Sequence, residues 1–218
     1  MRVLVTETNR ELADRIAEDL AVAHHVDRVN VNADSAHLPT GAGALIHFGL
    51  EPDVQDASDL IDLATRRTYH LLLAAATAGV ERCLFISTLQ LLQDYEEKLA
   101  VTESWRSLAP SSDPALLASH LGEIVAKEVA RDRRLKVATI RLGFPVVTGS
   151  RSSLRAAHGT ASIAVTDAVD AIRRALAAEI DWWQDIHVQS PVPGARFPMH
   201  RARSLLGFPD SPAPGGAR

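Results

Sequence analysis

The sequence predicts an α/β fold, a doubly wound parallel sheet covered by helices on both faces. Three observations predict it. Short β-rich apolar runs alternate with longer segments whose apolar residues recur at helical spacing. Most of those runs are apolar throughout, as strands buried on both faces require. The chain also opens on a strand, a tight turn and an amphipathic helix: Arg2–Thr6 (RVLVT), then residues 9–20 with Leu12, Ile16 and Leu20 one turn apart.

Composition bounds the reading. At 218 residues and 46% hydrophobic content, one domain, or a domain with a small second lobe, is the expectation. A formal charge of -4 gives no global pull toward nucleic acid or an anionic membrane, so neither is expected as a partner. Cys83 is the single cysteine, which excludes a disulfide framework and a thiolate metal site within one chain. The nine histidines are scattered, with no His-x-x-x-His spacing, so no metal is expected. The opening run is too short for a signal peptide, and no apolar stretch approaches the roughly 20 residues a bilayer span needs. A cytoplasmic protein is the expectation.

After the first helix, residues 26–31 (VDRVNV) read as a second strand and residues 32–43 as a loop rich in Asp, Pro, Gly and Thr. Residues 44–48 (ALIHF) form a third strand, closed by Gly49. Residues 59–79 form one long helix of Leu and Ala, stopped by a terminal glycine. Residues 82–87 (RCLFIS) give a further strand and residues 94–110 an irregular polar stretch. Residues 114–132 are helical, residues 135–142 (LKVATIRL) a strand and residues 166–178 a helix. A Pro/Gly-rich end follows from residue 209. Trp182 and Trp183 either cap a pocket or cover the core; the sequence leaves both open.

Motifs in order then point to a family. Ile46-His47-Phe48-Gly49-Leu50 ends one strand, and Leu72-Leu73-Ala74-Ala75-Ala76 runs to Gly79-Val80-Glu81-Arg82. Ile86-Ser87-Thr88, Val101-Thr102-Glu103, Arg141-Leu142-Gly143, Val165-Thr166-Asp167-Ala168-Val169 and a closing run from Ala202 to Phe208 follow. Taken together they resemble an extended short-chain dehydrogenase/reductase of the NAD-dependent epimerase/dehydratase family. The resemblance implies a Rossmann-like fold with a much reduced C-terminal substrate lobe. The expected division is 1–149 for the Rossmann-like domain, 150–208 for the lobe and 209–218 for a flexible tail.

The resemblance also implies what is missing. The family's three phosphate-loop glycines fall on Glu7, Arg10 and Ala13, and its Tyr-x-x-x-Lys falls on Leu116 and His120 around a retained Ser119. The helix Asn that helps hold the active-site water falls near Ala64. Only a hydroxyl survives, at Thr88. Leucine cannot move the substrate hydroxyl proton, and general acid–base groups are worth roughly 10²–10⁴ in rate. A carboxylate at Glu7 about 4 Å from a phosphate charge costs on the order of 4 kcal/mol at an effective dielectric near 20. The helix N-terminus returns only about 0.3–1 kcal/mol. Glu7 either points to solvent or closes the phosphate position, and Arg10 either neutralises it or grips a phosphate. Asn32 and Asp34 are the nearest candidates for the acidic ribose ligand after the second strand.

The expectation is therefore a pseudoenzyme-like, non-redox homologue without a nicotinamide cofactor, binding a partner or small ligand. Two alternatives remain open. One is cofactor-independent acid–base or cyclisation chemistry on Thr88 and His120, and the other an atypical NAD(P)-binding oxidoreductase. His47 is read as a structural residue at a strand end. The first strand is expected to be central, with residues 26–31 beside it and no outer strand beyond. A homodimer is expected through residues 59–78 and 114–132, packed as a four-helix bundle.

Overall fold

A computed structural model describes residues 1–7, 11–31, 38–49, 54, 56–108, 113–146, 161–191 and 195–209. Six strands form one sheet: β1 (Arg2–Thr6), β2 (His25–Val29), β3 (Ala42–Phe48), β4 (Arg82–Thr88), β5 (Lys136–Leu142) and β8 (Trp183–Val188). Their order across the sheet is β2-β1-β3-β4-β5-β8. Pairings of β1 with β2, β1 with β3 and β3 with β4 are all parallel. The remaining two strands, β6 (Phe144–Val146) and β7 (Ser162–Ala164), form a separate parallel pair. The helices are α1 (Glu11–Ala21), α2 (Ala57–Asp62), α3 (Thr68–Thr77), α4 (Pro114–Arg131), α5 (Val165–Ala177) and α6 (His200–Leu206). This is the Rossmann-like α/β architecture that the apolar runs predict.

Burial explains the strands. Val3, Leu4 and Val5 are wholly inaccessible, as are Ala44, Leu45 and Ile46 in β3, so both faces of each strand are covered. Leu4, Leu45, Cys83, Phe85 and Val137 form a core with Leu71, Leu72 and Ala75 of α3 and Ala126, Val129 and Ala130 of α4. Burial pushes the Cys83 thiol pKa far up and leaves it inert.

Three expectations need correction. β1 is not central but one place in from the β2 edge, because β2 is the last strand on that side among the described residues. Residues 32–37, where an outer strand would have to lie, fall outside the described residues. β2 begins at His25 and ends at Val29, its start set by the His25 amide donating to Met1 O at 3.0 Å. The long helix is broken into α2 and α3 by a π turn, Leu63–Arg67. Contacts five apart hold that turn: Thr68 Oγ1 donates to Leu63 O at 2.9 Å, and Arg67 Nε to Asp62 Oδ2 at 2.6 Å. The paired arginines, Arg66 before Arg67, hold the Asp62 carboxyl down to about 2.

Side-chain caps start two helices, α2 two residues before the expected 59 and α4 at the expected 114. Asp56 accepts from the amides of Ser58 and Asp59, and Asp113 from those of Ala115 and Leu116 behind Pro114. The stretch 94–110 is irregular over its described part.

Two compact units divide the chain, and neither follows a single cut in sequence. The first comprises Met1–Ser87, Ala109–Thr139 and Ile180–Gln184; the second comprises Thr88–Leu108, Ile140–Glu179 and Asp185–Arg218. In the second, Leu89, Leu92, Val101 and Phe197 form a small core flanked by Tyr95, Leu99 and Trp105. Arg196 ties its loop together, donating to the carbonyls of Gln93, Tyr95 and Glu96 while lying over the Phe197 ring. Gly143 is required here by close approach: a Cβ would stand 2.5 Å from Ala161 O.

Candidate functional site

In the first unit, chemistry collects at the C-terminal ends of β1 to β4. Glu7 follows β1, its amide donating to Val29 O at 2.8 Å. Its exposed carboxylate accepts from Asn30 Nδ2 at 3.0 Å, so a side chain after β2 holds it. Two further acids, Glu11 and Asp14, lie in the first turn of α1. Asp14 is paired with Arg28 at 2.6 Å and Glu11 lies 3.7 Å from Arg15. Ala13, the third glycine position, is wholly buried and brings its Cβ into the packing of α1. Thr8, Asn9 and Arg10 lie outside the described residues, as do Asn32, Asp34 and Leu50.

At the end of β3, His47 is fully buried. Its Nε2 lies 2.9 Å from Thr68 Oγ1 and its Nδ1 3.3 Å from Thr6 Oγ1. Proton accounting fixes every direction. The Thr68 hydroxyl already donates to Leu63 O, so His47 Nε2 carries the proton and donates to Thr68. Thr6 Oγ1 accepts from the Phe48 amide at 3.1 Å and donates its own proton to Nδ1. Burial lowers the His47 pKa to about 4, which keeps this neutral tautomer at pH 7. Both nitrogens are spent, so His47 is structural, as its place at a strand end predicts.

α4 faces the core with Leu116, Ser119, Gly122 and Glu123, whereas His120 is half-buried beside that line. The Ser87 hydroxyl, on β4, donates to Glu123 Oε1 at 2.7 Å, and Glu123 is 4% exposed. Neither residue is a catalytic candidate by spacing, because 36 residues separate them; only the third dimension brings them together. The Phe85 ring lies against the two glycines Gly49 and Gly122: it would stand 2.3 Å from a Cβ at the first and 2.9 Å from one at the second. Ala64, near which the resemblance puts the family's Asn, lies within the π turn and is buried. Trp183 packs on the core under Lys127, and Trp182 stays partly exposed beneath Arg133.

Thr88 belongs to the second unit, where its Oγ1 accepts from the Gln90 amide at 3.2 Å and caps the 3-10 turn Leu89–Leu92. The same unit holds a polar group that sequence reasoning missed. Arg141, 3% exposed, lies 3.8 Å from Asp185. Glu103 Oε1 accepts from the Arg201 amide at 3.0 Å, and Arg201 donates to Asp185 O at 3.0 Å. His187 is wholly buried, its pKa lowered to about 3 by that burial first and by the charges of Arg141 and Arg201 next. Asp167 accepts from Ser190 Oγ at 2.7 Å, which gives a physical role to the acid of the Val165–Val169 motif. Among the described residues no three His, Cys, Asp or Glu side chains group as metal ligands, and no helix is long and apolar enough to cross a membrane.

This arrangement stands on the fold of the extended short-chain dehydrogenase/reductases, the NAD-dependent epimerase/dehydratase enzymes. A mutated uronate dehydrogenase superposes with a TM-score of 0.77 at 18% identity, covering 96% of this chain and 82% of that one. A UDP-glucuronic acid 4-epimerase from Bacillus cereus, in complex with NAD, gives 0.77 at 13% identity over 98% and 94%. A glucuronic acid dehydrogenase from Chromohalobacter salexigens gives 0.76 at 18% over 96% and 85%. No family model matches the sequence. None of the curated proteins matches it either.

Proposed function

We propose that the protein is a non-redox homologue on this fold, a pseudoenzyme that binds a partner or a small ligand in place of a nicotinamide dinucleotide. The observation that carries this reading is the Glu7 carboxylate held by Asn30 at the ends of β1 and β2. A dinucleotide's pyrophosphate needs close backbone approach and a positive helix start at that place. The residues do not fit it: Glu7 brings a negative charge held by Asn30 and not by a cation, while Glu11 and Asp14 lie beside Arg15 and Arg28, and Ala13 adds a buried Cβ. By the sequence resemblance, Leu116 and His120 of α4 fall at the family's proton donor and lysine, and a leucine has no proton to give in a hydride step.

A second reading is favoured by the buried Ser87–Glu123 contact. It is proton transfer without a cofactor, by the acids and hydroxyls on β4 and α4, with Thr88 and His120 as further candidates. A homodimer through α2, α3 and α4 belongs to the proposal, supported by the exposed Tyr69 on α3 and Ile124 on α4. So does a cytoplasmic setting, which rests on a single, buried cysteine.

Calorimetric titration with NAD⁺, NADH, NADP⁺ and NADPH tests the main reading. The wild-type protein is expected to bind none tighter than about 50 μM. A Glu7→Gly/Arg10→Gly variant that gains binding would identify the turn as the cause. Tight wild-type binding would sink the proposal.

A further inference from the structure

The end of α4 and the turn after it are positive on a negative protein. Residues 127–136 hold five cations, Lys127, Arg131, Arg133, Arg134 and Lys136, against two acids, Glu128 and Asp132, whereas the whole chain has a formal charge of -4. Glu128 is taken by Arg131, and Asp181, the acid beside the two tryptophans, accepts from Gln184. Among the described residues no carboxylate pairs with Lys127, Arg133, Arg134 or Lys136. The first three of these are exposed, and all the residues named lie within the first unit.

Two of the cations are held by rings instead. Lys127 Nζ lies 5.7 Å from the centroid of the Trp183 ring, and the Arg133 guanidinium 5.9 Å from that of Trp182. Arg133 reaches its ring from an unfavourable backbone. Its φ is 54°, the left-handed conformation in which a helix exit favours glycine, and no other non-glycine residue among those described has a positive φ. The tryptophan under it is 38% exposed. Tryptophan and arginine are the residues most enriched at the energetic centres of interfaces. An exposed indole beside an arginine held where glycine would suit the backbone better is a surface shaped for contact.

The chemistry says what kind of contact. Unpaired guanidinium and ammonium groups take an anion, and a carboxylate meets a guanidinium through two parallel hydrogen bonds. Trp183 is already packed between the core and Lys127, and Arg133 already lies over Trp182, so the rings are poor platforms for stacking nucleic-acid bases. The net negative charge of the chain also opposes a long phosphate backbone. A peptide with carboxylates flanking an apolar side chain matches both the cations and the exposed part of Trp182.

We infer that Lys127, Arg133, Arg134 and Trp182 form a docking surface for an acidic segment of a partner protein. The surface uses no residue at the β1 to β4 ends, so the outcome of the dinucleotide titration leaves it untouched.

Anisotropy titration of the full chain into a fluorescein-labelled peptide of glutamates around one central leucine tests the surface. At low salt, binding tighter than about 100 μM is expected, weakening as salt rises. Arg133→Gly is the decisive variant. Glycine suits the φ of 54°, so the thermal midpoint should hold or rise while peptide affinity falls at least about fivefold. Lys98→Ala removes one exposed charge in the second unit and should leave affinity unchanged. Absence of peptide binding, equal affinities of Arg133→Gly and wild type, equal losses in both variants, or tighter binding of an oligothymidylate of the same charge would each overturn the inference.

Discussion

His47 and His187 are both buried and both neutral at pH 7, at the ends of two strands of one sheet. They differ in what their nitrogens meet. His47 is the middle of a directed chain from the Phe48 amide through Thr6 and Thr68 to Leu63 O, with every proton assigned. His187 has no hydrogen-bond partner at either nitrogen among the described residues. The difference teaches that burial alone does not decide what a histidine contributes; a closed set of partners makes His47 a link between strand and helix, and His187 has no such set among the described residues.

The largest expected effect separates the two directly. His47→Leu strands the Thr6 hydroxyl and breaks the link to the π turn, and should cost roughly 4 kcal/mol. His187→Leu removes atoms that no protein group was satisfying and should cost under about 1 kcal/mol. Urea midpoints at unchanged slope read both. Equal losses would break the comparison.

Acidity gives the next effect. His47 has a folded pKa of about 4, depressed from 6.5, so the unfolded chain binds more protons between those values. Its contribution is complete above pH 6.5, lost as pH falls toward 4, and amounts to about 3 kcal/mol. His187, depressed to about 3, acts in the same direction. Unfolding free energies measured from pH 7 to pH 4 should fall in the wild-type protein and fall less in His47→Leu. A slope unchanged by the substitution would mean the ring is not held neutral.

A smaller effect sharpens the picture of the chain itself. Thr68→Val keeps the shape but removes the acceptor for His47 Nε2–H, and should cost about 1–3 kcal/mol. Thr68→Ser keeps the hydroxyl and should recover most of that loss. Thermal midpoints of the two variants compare them.

The sequence made the strands legible because both faces of β1, β3 and β4 are buried, which leaves apolar runs such as Val3-Leu4-Val5. β8 was not legible for the opposite reason: Asp185 and His187 put polar atoms on one buried face, so Trp183–Val188 reads as surface. The π turn leaves no mark in Leu63–Arg67, whose residues suit an ordinary helix equally well; among the contacts around it, that of Thr68 with His47 forms only on folding. Glu7 could be read at its strand end, but Asn30, its partner, could not. Ser87 and Glu123 were each in view within a motif or a helix, and nothing in their spacing announces that they touch. The missing phosphate-loop glycines and the missing tyrosine and lysine were plain, since absence at a motif position needs no third dimension.

The π turn also constrains how this chain can change over generations. Each residue advances an α-helix by about 100°, so α2 and α3 hold their faces in phase only while the extra residue remains. Losing any one residue from Leu63–Arg67 would leave an unbroken helix of better local geometry. With Leu60 docked against Ala64 and Ala118, that shortening would swing Thr68 about a quarter turn away from His47. A deletion that improves the helix in isolation would thus be rejected by the strand beneath it, and the irregular turn persists as an insertion locked in place by one imidazole.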